Sequence, residues 1–429
     1  MMMGTAEVLV APTEAVKFVE DLPEDQQAYA AVNDPELGMG LLNMGNTCYM
    51  NATLQCLKSV PELRAALNEY DSQSSASSSS SLQTMGSARL TKELGKLFKT
   101  LDSSVKPVPP VDFLMRLREK FPQFAQTGQG GMYMQQDAEE CWTNIMYCLR
   151  ECLDTSGSGS RDELGSVQAR KLSGIFGIEL ETKLESTETS ETSTEATEAY
   201  SLKCNITSDV NYIQEGLLLG LQDDREKMSA ELGRDVLFKG RSSITKLPNY
   251  LTVQMVRFFY KQEVQQKAKI LRPVAFPLIL DVYDLCGEQL RKDLEGPRDK
   301  KRKLDDDEAG LAKEKAKSSE NKAEDTPTIV EGDGVKASAD EKVEDTVMED
   351  SSRGTESLTG HYELIAVLTH KGRSADSGHY VSWVKNDKGN WVEFDDETPT
   401  PRNQEDIQNL KGGGDWHMAY MCLYKAKKV

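Results

Sequence analysis

The order of residue periods along the chain predicts an α+β fold, with helices in the first half and an antiparallel sheet in the second. From Cys48 to Leu153, apolar residues recur at three- and four-residue spacing, as one face of a helix requires. From Asn249 onward the ordered runs are short, aromatic and β-branched, which is the composition of strands. Polar stretches interrupt both halves, and apolar periodic sequence resumes after each one. They read as insertions into one domain rather than linkers between several.

In the helical half, Met50, Leu54 and Leu57 form a stripe between Cys48 and Lys58. Residues 90–101 (LTKELGKLFKTL) and 111–120 (VDFLMRLREK) repeat the spacing. The strongest helix is 138–153, with Cys141, Ile145, Cys148, Leu149 and Cys152 on one side. Strands are predicted at 249–260, 361–369, 379–385, 390–394 and 416–424. Four stretches carry too little apolar surface to offset chain entropy and are expected not to pack: 71–81, 154–160, 185–199 and the charged insertion 287–357.

Composition narrows the function. The 429 residues are 38% hydrophobic, below the ~45–50% of ordinary globular chains, which fits a folded part diluted by those insertions. A net charge of -19 argues against nucleic-acid and anionic-membrane partners, since both require a basic surface. No apolar run is long enough to cross a bilayer, and the first residues lack the pattern of a secretory signal. The eight cysteines show no disulfide framework, so reduced thiols in an intracellular protein are expected.

Chemistry concentrates at two places. Gly45-Asn46-Thr47-Cys48 leads directly into a helical pattern, so Asn46 or Thr47 can cap the helix and Cys48 falls in its first turn. There the helix dipole favours a thiolate, although a cysteine at such a place can equally be a small buried apolar residue. A nucleophilic thiol also needs a base. His379 starts a strand, and Asn386-Asp387-Lys388-Gly389 turns the chain back into 390–394. A hairpin symmetric about Asp387 would pair His379 with Asp395 and Trp383 with Trp391. By alternation, only one of Asp395 and Asp396 can share a face with His379. The hairpin could thus hold an imidazole and its orienting carboxylate, or a surface histidine beside a solvated acidic run.

Gly40 to Cys56 (GLLNMGNTCYMNATLQC) resembles the cysteine box of the ubiquitin-specific proteases. Ser377-Gly378-His379-Tyr380-Val381 and Trp391-Val392-Glu393-Phe394-Asp395-Asp396 resemble that family's histidine box, and Gln135 to Glu140 (QQDAEE) its intervening acidic motif. Further segments, among them Gln254 to Lys261 and Gly412 to His417, resemble its proteasome-associated branch. The resemblance implies a papain-like fold, with a helical subdomain facing an antiparallel sheet subdomain and a β finger extending from it. It implies hydrolysis after the C-terminal glycine of ubiquitin, with Cys48 as nucleophile, His379 as base, Asp395 as its orienter and Asn43 as a donor to the oxyanion. It also places Gln136, Asp137, Phe259, Ser377 and Tyr420 along the substrate tail. Asp137 can in addition cap the helix that follows it.

The same resemblance names ubiquitin, its conjugates and the 26S proteasome as partners, and implies cleft-covering loops after Tyr260 and at Gly372–Ser377. It makes 37–429 the catalytic domain and 1–36 a linker behind a ubiquitin-like domain whose last strand MMMGTAEV resembles. Neither a cofactor nor a metal is expected: three cysteines on one helix make a poor zinc site, and the paired CxxC motifs of many finger subdomains are missing from the sequence. A cytoplasmic location is expected, extended to the nucleus if Lys300-Lys301-Arg302-Lys303 acts as an import patch rather than a solvated loop.

Overall fold

Two lobes meet along the inner face of one large sheet. The computed structural model describes residues 37–73, 82–128, 130–154, 171–261, 265–320, 357–374 and 377–429. The helical lobe contains α1 (Cys48–Lys58), α2 (Pro61–Gln73), α3 (Leu82–Ser103), α4 (Val111–Lys120) and α5 (Ala138–Leu153). Along α5 the predicted stripe is buried: Cys141, Ile145, Cys148, Leu149 and Cys152 all face the core. Burying one such aliphatic side chain is worth about 1.5–3 kcal/mol, so this face alone fixes the helix against its neighbours.

The strands follow in chain order: β1 (Ile178–Ser186), β2 (Thr192–Ala199), β3 (Leu202–Asn205), β4 (Arg225–Met228), β5 (Asp235–Lys246), β6 (Tyr250–Val256), β7 (Phe258–Lys261) and β8 (Gln266–Lys269). Then come β9 (Ile279–Asp281), β10 (Leu358–Lys371), β11 (His379–Lys385), β12 (Trp391–Asp395), β13 (Thr398–Arg402) and β14 (Met418–Lys428). The large sheet runs β13-β12-β11-β10-β14-β6-β3, with β9 beside β10. Its pairings are antiparallel except for β3 against β6. Alternation divides its side chains between two cores: Tyr380 and Val384 of β11 pack with the helices, whereas Val381 and Trp383 pack on the opposite face. A second sheet, β2-β1-β5-β4, projects as the finger, and Leu184, Val236 and Phe238 form its own small core.

Two stretches expected not to pack are ordered. Residues 185–199 supply the end of β1 and the whole of β2. Threonine alternating with glutamate suits an exposed edge strand, and Glu195 is bridged by Arg225 and Lys227. Residues Glu288–Glu320 form a helix, α6, because Leu290 and Leu294 give it one apolar turn against the sheet and Arg298 anchors it to Asp281 at 2.6 Å. Of the remaining expected loops, 74–81, 155–170 and 321–356 lie outside the described residues, as does the linker 1–36.

The hairpin register differs from the symmetric expectation. Lys385 pairs with Trp391 and Trp383 with Glu393. Asn386 donates to the Asn390 carbonyl at 2.8 Å, and Gly389 (φ 87°) donates back to Asn386 at 2.9 Å. The three-residue loop is therefore centred on Lys388 rather than Asp387 and closed by a left-handed glycine, and this one-residue move of the centre shifts the partner of each β11 residue by two. Extending this register sets Asp395 opposite Val381, two along from His379 and on its face.

Candidate active site

Cys48 opens α1 at the seam between the lobes. The loop before it is wound tightly: Gly45 and Asn46 both have positive φ (92° and 53°). Asn43 Oδ1 accepts from the Gly45 amide at 2.9 Å and from the Thr47 amide at 3.3 Å. Thr47 occupies the N-cap position without capping the helix, because its hydroxyl takes the Met44 amide at 2.8 Å instead. Asn46 is likewise diverted, donating to the Tyr133 carbonyl at 2.9 Å. The first amides of α1, that of Cys48 included, thus have no side-chain acceptor, and the positive end of the helix stays open.

His379, the first residue of β11, places Nε2 2.5 Å from Asp395 Oδ1. Cys48 is the second group that acts on this imidazole. The Asp395 bond, and after it Cys48, push the imidazole up to about 10 against the opposing effect of burial. Reciprocally, the His379 bond holds the Asp395 carboxyl below its usual range. A protonated imidazole beside a sulfur and a carboxylate is the arrangement that activates a thiol.

Asp396 departs from the one-face expectation. Its backbone is left-handed (φ 50°), so alternation ends at Asp395 and the Asp396 carboxylate turns back to 4.0 Å from His379 Nε2. It is 8% exposed and accepts from Asn43 and Asn51, each at 2.8 Å. Burial raises its carboxyl above the ordinary value. Gly40 allows this approach: a Cβ there would stand 2.5 Å from the Glu397 backbone. His379, Asp395 and Asp396 together offer donor atoms within 4.8 Å of one another, a closeness that the hydrogen bonds of this group already explain.

The other expected residues are distributed along the seam. Asp137 caps α5, accepting from the Glu139 and Glu140 amides at 2.7 and 3.3 Å. The same carboxylate takes the Tyr420 hydroxyl at 2.8 Å, so it joins the two lobes. Tyr420 is not on the surface: it is buried against Phe258 and Tyr380, and burial raises its phenol above the ordinary range. Gln136 is half-buried with a long contact to the Met134 carbonyl (3.5 Å), while Phe259 and Ser377 are exposed. Phe258, by contrast, packs edge-on to His370.

Sequence reasoning missed Gln135, Asn51, His370 and Lys269. Gln135 Nε2 donates to the Gly378 carbonyl at 2.8 Å and lies 3.9 Å from Cys48 Sγ. His370 lies directly behind Gly378, and Lys269 bonds to its far nitrogen. Asn51 sits one helical turn after Cys48 on a buried face, which is the one sequence signal that marked it.

A thiol, an imidazole and a carboxylate brought together where a helix N-terminus meets an antiparallel sheet define a papain-like cysteine hydrolase. The sequence model of the ubiquitin carboxyl-terminal hydrolase family matches residues 39–424, and the chain belongs to that family. It is 48% identical over 433 residues to ubiquitin carboxyl-terminal hydrolase 6 of Arabidopsis thaliana, covering 100% of this chain and 86% of that protein. To ubiquitin carboxyl-terminal hydrolase 14 of Caenorhabditis elegans it is 34% identical, covering 100% and 81% respectively. The fold matches a solved SAGA Ubp8/Sgf11/Sus1/Sgf73 DUB module bound to ubiquitin aldehyde, with a TM-score of 0.58 and 19% identity over 92% of this chain and 71% of that one. The protein is therefore a deubiquitinating cysteine protease, a thiol-dependent ubiquitin carboxyl-terminal hydrolase.

Proposed function

We propose that Cys48, His379 and Asp395 form the catalytic triad and that the chain removes ubiquitin from conjugates presented at the proteasome. The observation that carries the first part is His379, hydrogen-bonded to Asp395 at 2.5 Å and raised by Asp395 first and Cys48 second. The thiolate attacks the carbonyl of ubiquitin's terminal glycine, and the resulting oxyanion takes the Cys48 N–H, which has no acceptor within the helix. The second donor is the amide of Asn43, whose Oδ1 is fixed by the Gly45 and Thr47 amides and whose Nδ2 already gives one hydrogen to Asp396. His379 hands its proton to the leaving amine. It then withdraws one from the water that cleaves the thioester, so sulfur and imidazole return to their starting states.

Gln136, Asp137, Phe259 and Ser377 line the path of the ubiquitin tail in this reading, with buried Tyr420 behind them holding the Asp137 carboxylate that a basic tail needs. Two glycines at the end of that tail suit the narrow approach, since Cys48 is only 3% exposed. The proteasome as the place of action, with a cytoplasmic and nuclear distribution, is supported by the sequence likeness of Gln254–Lys261 and Gly412–His417 to the proteasome-associated branch. Hydrolysis of ubiquitin bearing a C-terminal fluorophore, with and without purified proteasomes, tests both parts. Turnover that is lost in Cys48→Ala and rises with proteasomes is expected. Turnover by Cys48→Ala would overturn the nucleophile, and rates indifferent to proteasomes would overturn the place of action.

A further inference from the structure

Lys269, at the end of β8, is a half-buried cation that has no carboxylate partner among the described residues. Its Nζ lies 2.7 Å from His370 Nδ1 and donates to the carbonyls of His370 (3.0 Å) and Gly372 (2.7 Å). Three acceptors use all three ammonium hydrogens. His370 is 1% exposed, and burial, reinforced by Lys269, pushes its imidazole down to about 3. It is therefore neutral. Because Nδ1 accepts from Lys269, its proton sits on Nε2. That edge of the ring faces Gly378: a Cβ at Gly378 would stand 2.4 Å from His370 Nε2, and Gly378 holds a φ of 150°. Gly378 immediately precedes His379, and its carbonyl is the acceptor for Gln135 beside the thiol. The ring is held from its other sides by Phe258 (5.2 Å) and Tyr380 (4.7 Å).

We propose that Lys269 is a positioning residue of the hydrolysis, an ammonium that braces the His370 ring against Gly378 and so fixes the backbone that delivers His379 to Cys48. Mutual geometry is the requirement at this point, because displacements of about 1 Å in a reacting pair cost on the order of 100-fold in rate. A cation with no carboxylate partner among the described residues is expensive to bury, and hydrogen bonds to carbonyls and a ring nitrogen offset only part of that cost. Its retention at this position fits a role in holding three acceptors that belong to one loop. The charged groups facing it are few: Arg257 from the β6–β7 junction, which together with burial brings Lys269 down to about 8, and neutral His370 from β10. Above that pH the amine has two hydrogens for three acceptors, and the brace is incomplete.

The inference rests on the triad assignment, and the experiment separates the two. Lys269→Met, Lys269→Arg, His370→Asn and Cys48→Ala are compared in the full chain by kcat and KM on fluorophore-tagged ubiquitin from pH 6 to 9.5, by the rate of Cys48 alkylation with iodoacetamide, and by Tm. Lys269→Met is expected to lose at least tenfold in kcat with KM within about twofold, and to slow alkylation at pH 6–7 correspondingly. Lys269→Arg, which keeps a charge through this range, should restore most of kcat and remove the decline expected of the wild type above pH 8. His370→Asn keeps an acceptor for Lys269 but withdraws the ring from Gly378, and should match Lys269→Met. Folded Lys269→Met or His370→Asn with wild-type kcat and alkylation would overturn the inference while leaving the triad intact. Activity in Cys48→Ala would overturn the triad itself.

Discussion

Gln135 and Gly378 meet across the seam between the lobes, the amide of one donating to the carbonyl of the other at 2.8 Å. The same Nε2 lies 3.9 Å from Cys48 Sγ. One side chain from the helical lobe therefore joins the sheet lobe directly over the nucleophile, which is 3% exposed. A second link, Tyr420 to Asp137, lies further along the seam. In this state the thiol is ordered for reaction and covered at once.

The cover is testable without substrate. Gln135→Ala removes the amide and its bond to Gly378 while leaving Cys48, His379 and Asp395 in place. Alkylation of Cys48 by a small reagent should then accelerate at least threefold at pH 7. Quantified by mass spectrometry of the Cys48 peptide under subsaturating reagent, an unchanged rate would show that Gln135 does not restrict access.

Much of this arrangement is visible in the sequence, and the failures have physical causes. The helix opened by Cys48 and the strand opened by His379 follow from period and turn residues, both of which are local. The register differs from the expectation because the turn Asn386-Asp387-Lys388-Gly389 can centre on Asp387 or on Lys388, and only the left-handed Gly389 decides it. Asp396 could not be assigned by alternation, since its own positive φ breaks the alternation. Composition marks the threonine–glutamate stretch as unable to pack, whereas its period of two and the cations of β4 make it an edge strand. Residues 288–320 were misread for a related reason: two leucines four apart suffice to seat a helix that is otherwise charged. Lys269 and Arg257 leave no sequence signal because most partners of the first and all of the second are backbone carbonyls, which no sequence pattern identifies.

The His379–Asp395 bond fixes a pH dependence of definite sign. The folded imidazole is raised from its ordinary 6.5 to about 10, chiefly by Asp395, so the protonated form is favoured up to that pH. A raised histidine contributes stability that is fully present below its unfolded value and is lost as pH rises through the folded one, here between about 6.5 and 10. The Asp395 carboxylate, held low, contributes in the opposite direction: its share is present above the ordinary carboxylate range and is lost on acidification. Asp395→Asn should therefore bring the alkaline loss of kcat/KM closer to neutrality than it lies in the wild type and lower kcat at least tenfold at pH 7. Identical alkaline limbs in the variant and the wild type would show that Asp395 does not set the imidazole.

Arg257 holds the sheet side of the site from within. It is 0% exposed, and its guanidinium donates to the carbonyls of Ala419 (2.7 Å), Ile270 (3.1 Å), Arg272 (2.8 Å) and Lys411 (3.1 Å). Burial lowers it to about 10, still charged at neutral pH. Those four carbonyls belong to β14, to the segment after β8 and to the loop before Gly412, so one side chain organises three segments behind the cleft. A buried acceptor left without its donor costs about 1–3 kcal/mol, and several are orphaned together when the guanidinium is removed. Arg257→Met fills most of the volume but supplies no donor. It should destabilise the protein by several kcal/mol, since the carbonyls that lose their donor cost about 1–3 kcal/mol each. Arg257→Lys, with three hydrogens on a point charge in place of a planar fork, should recover only part of that loss. Denaturant unfolding of the three proteins at pH 7 provides the comparison, and a midpoint for Arg257→Met equal to the wild type would show that water replaces the guanidinium at no net cost.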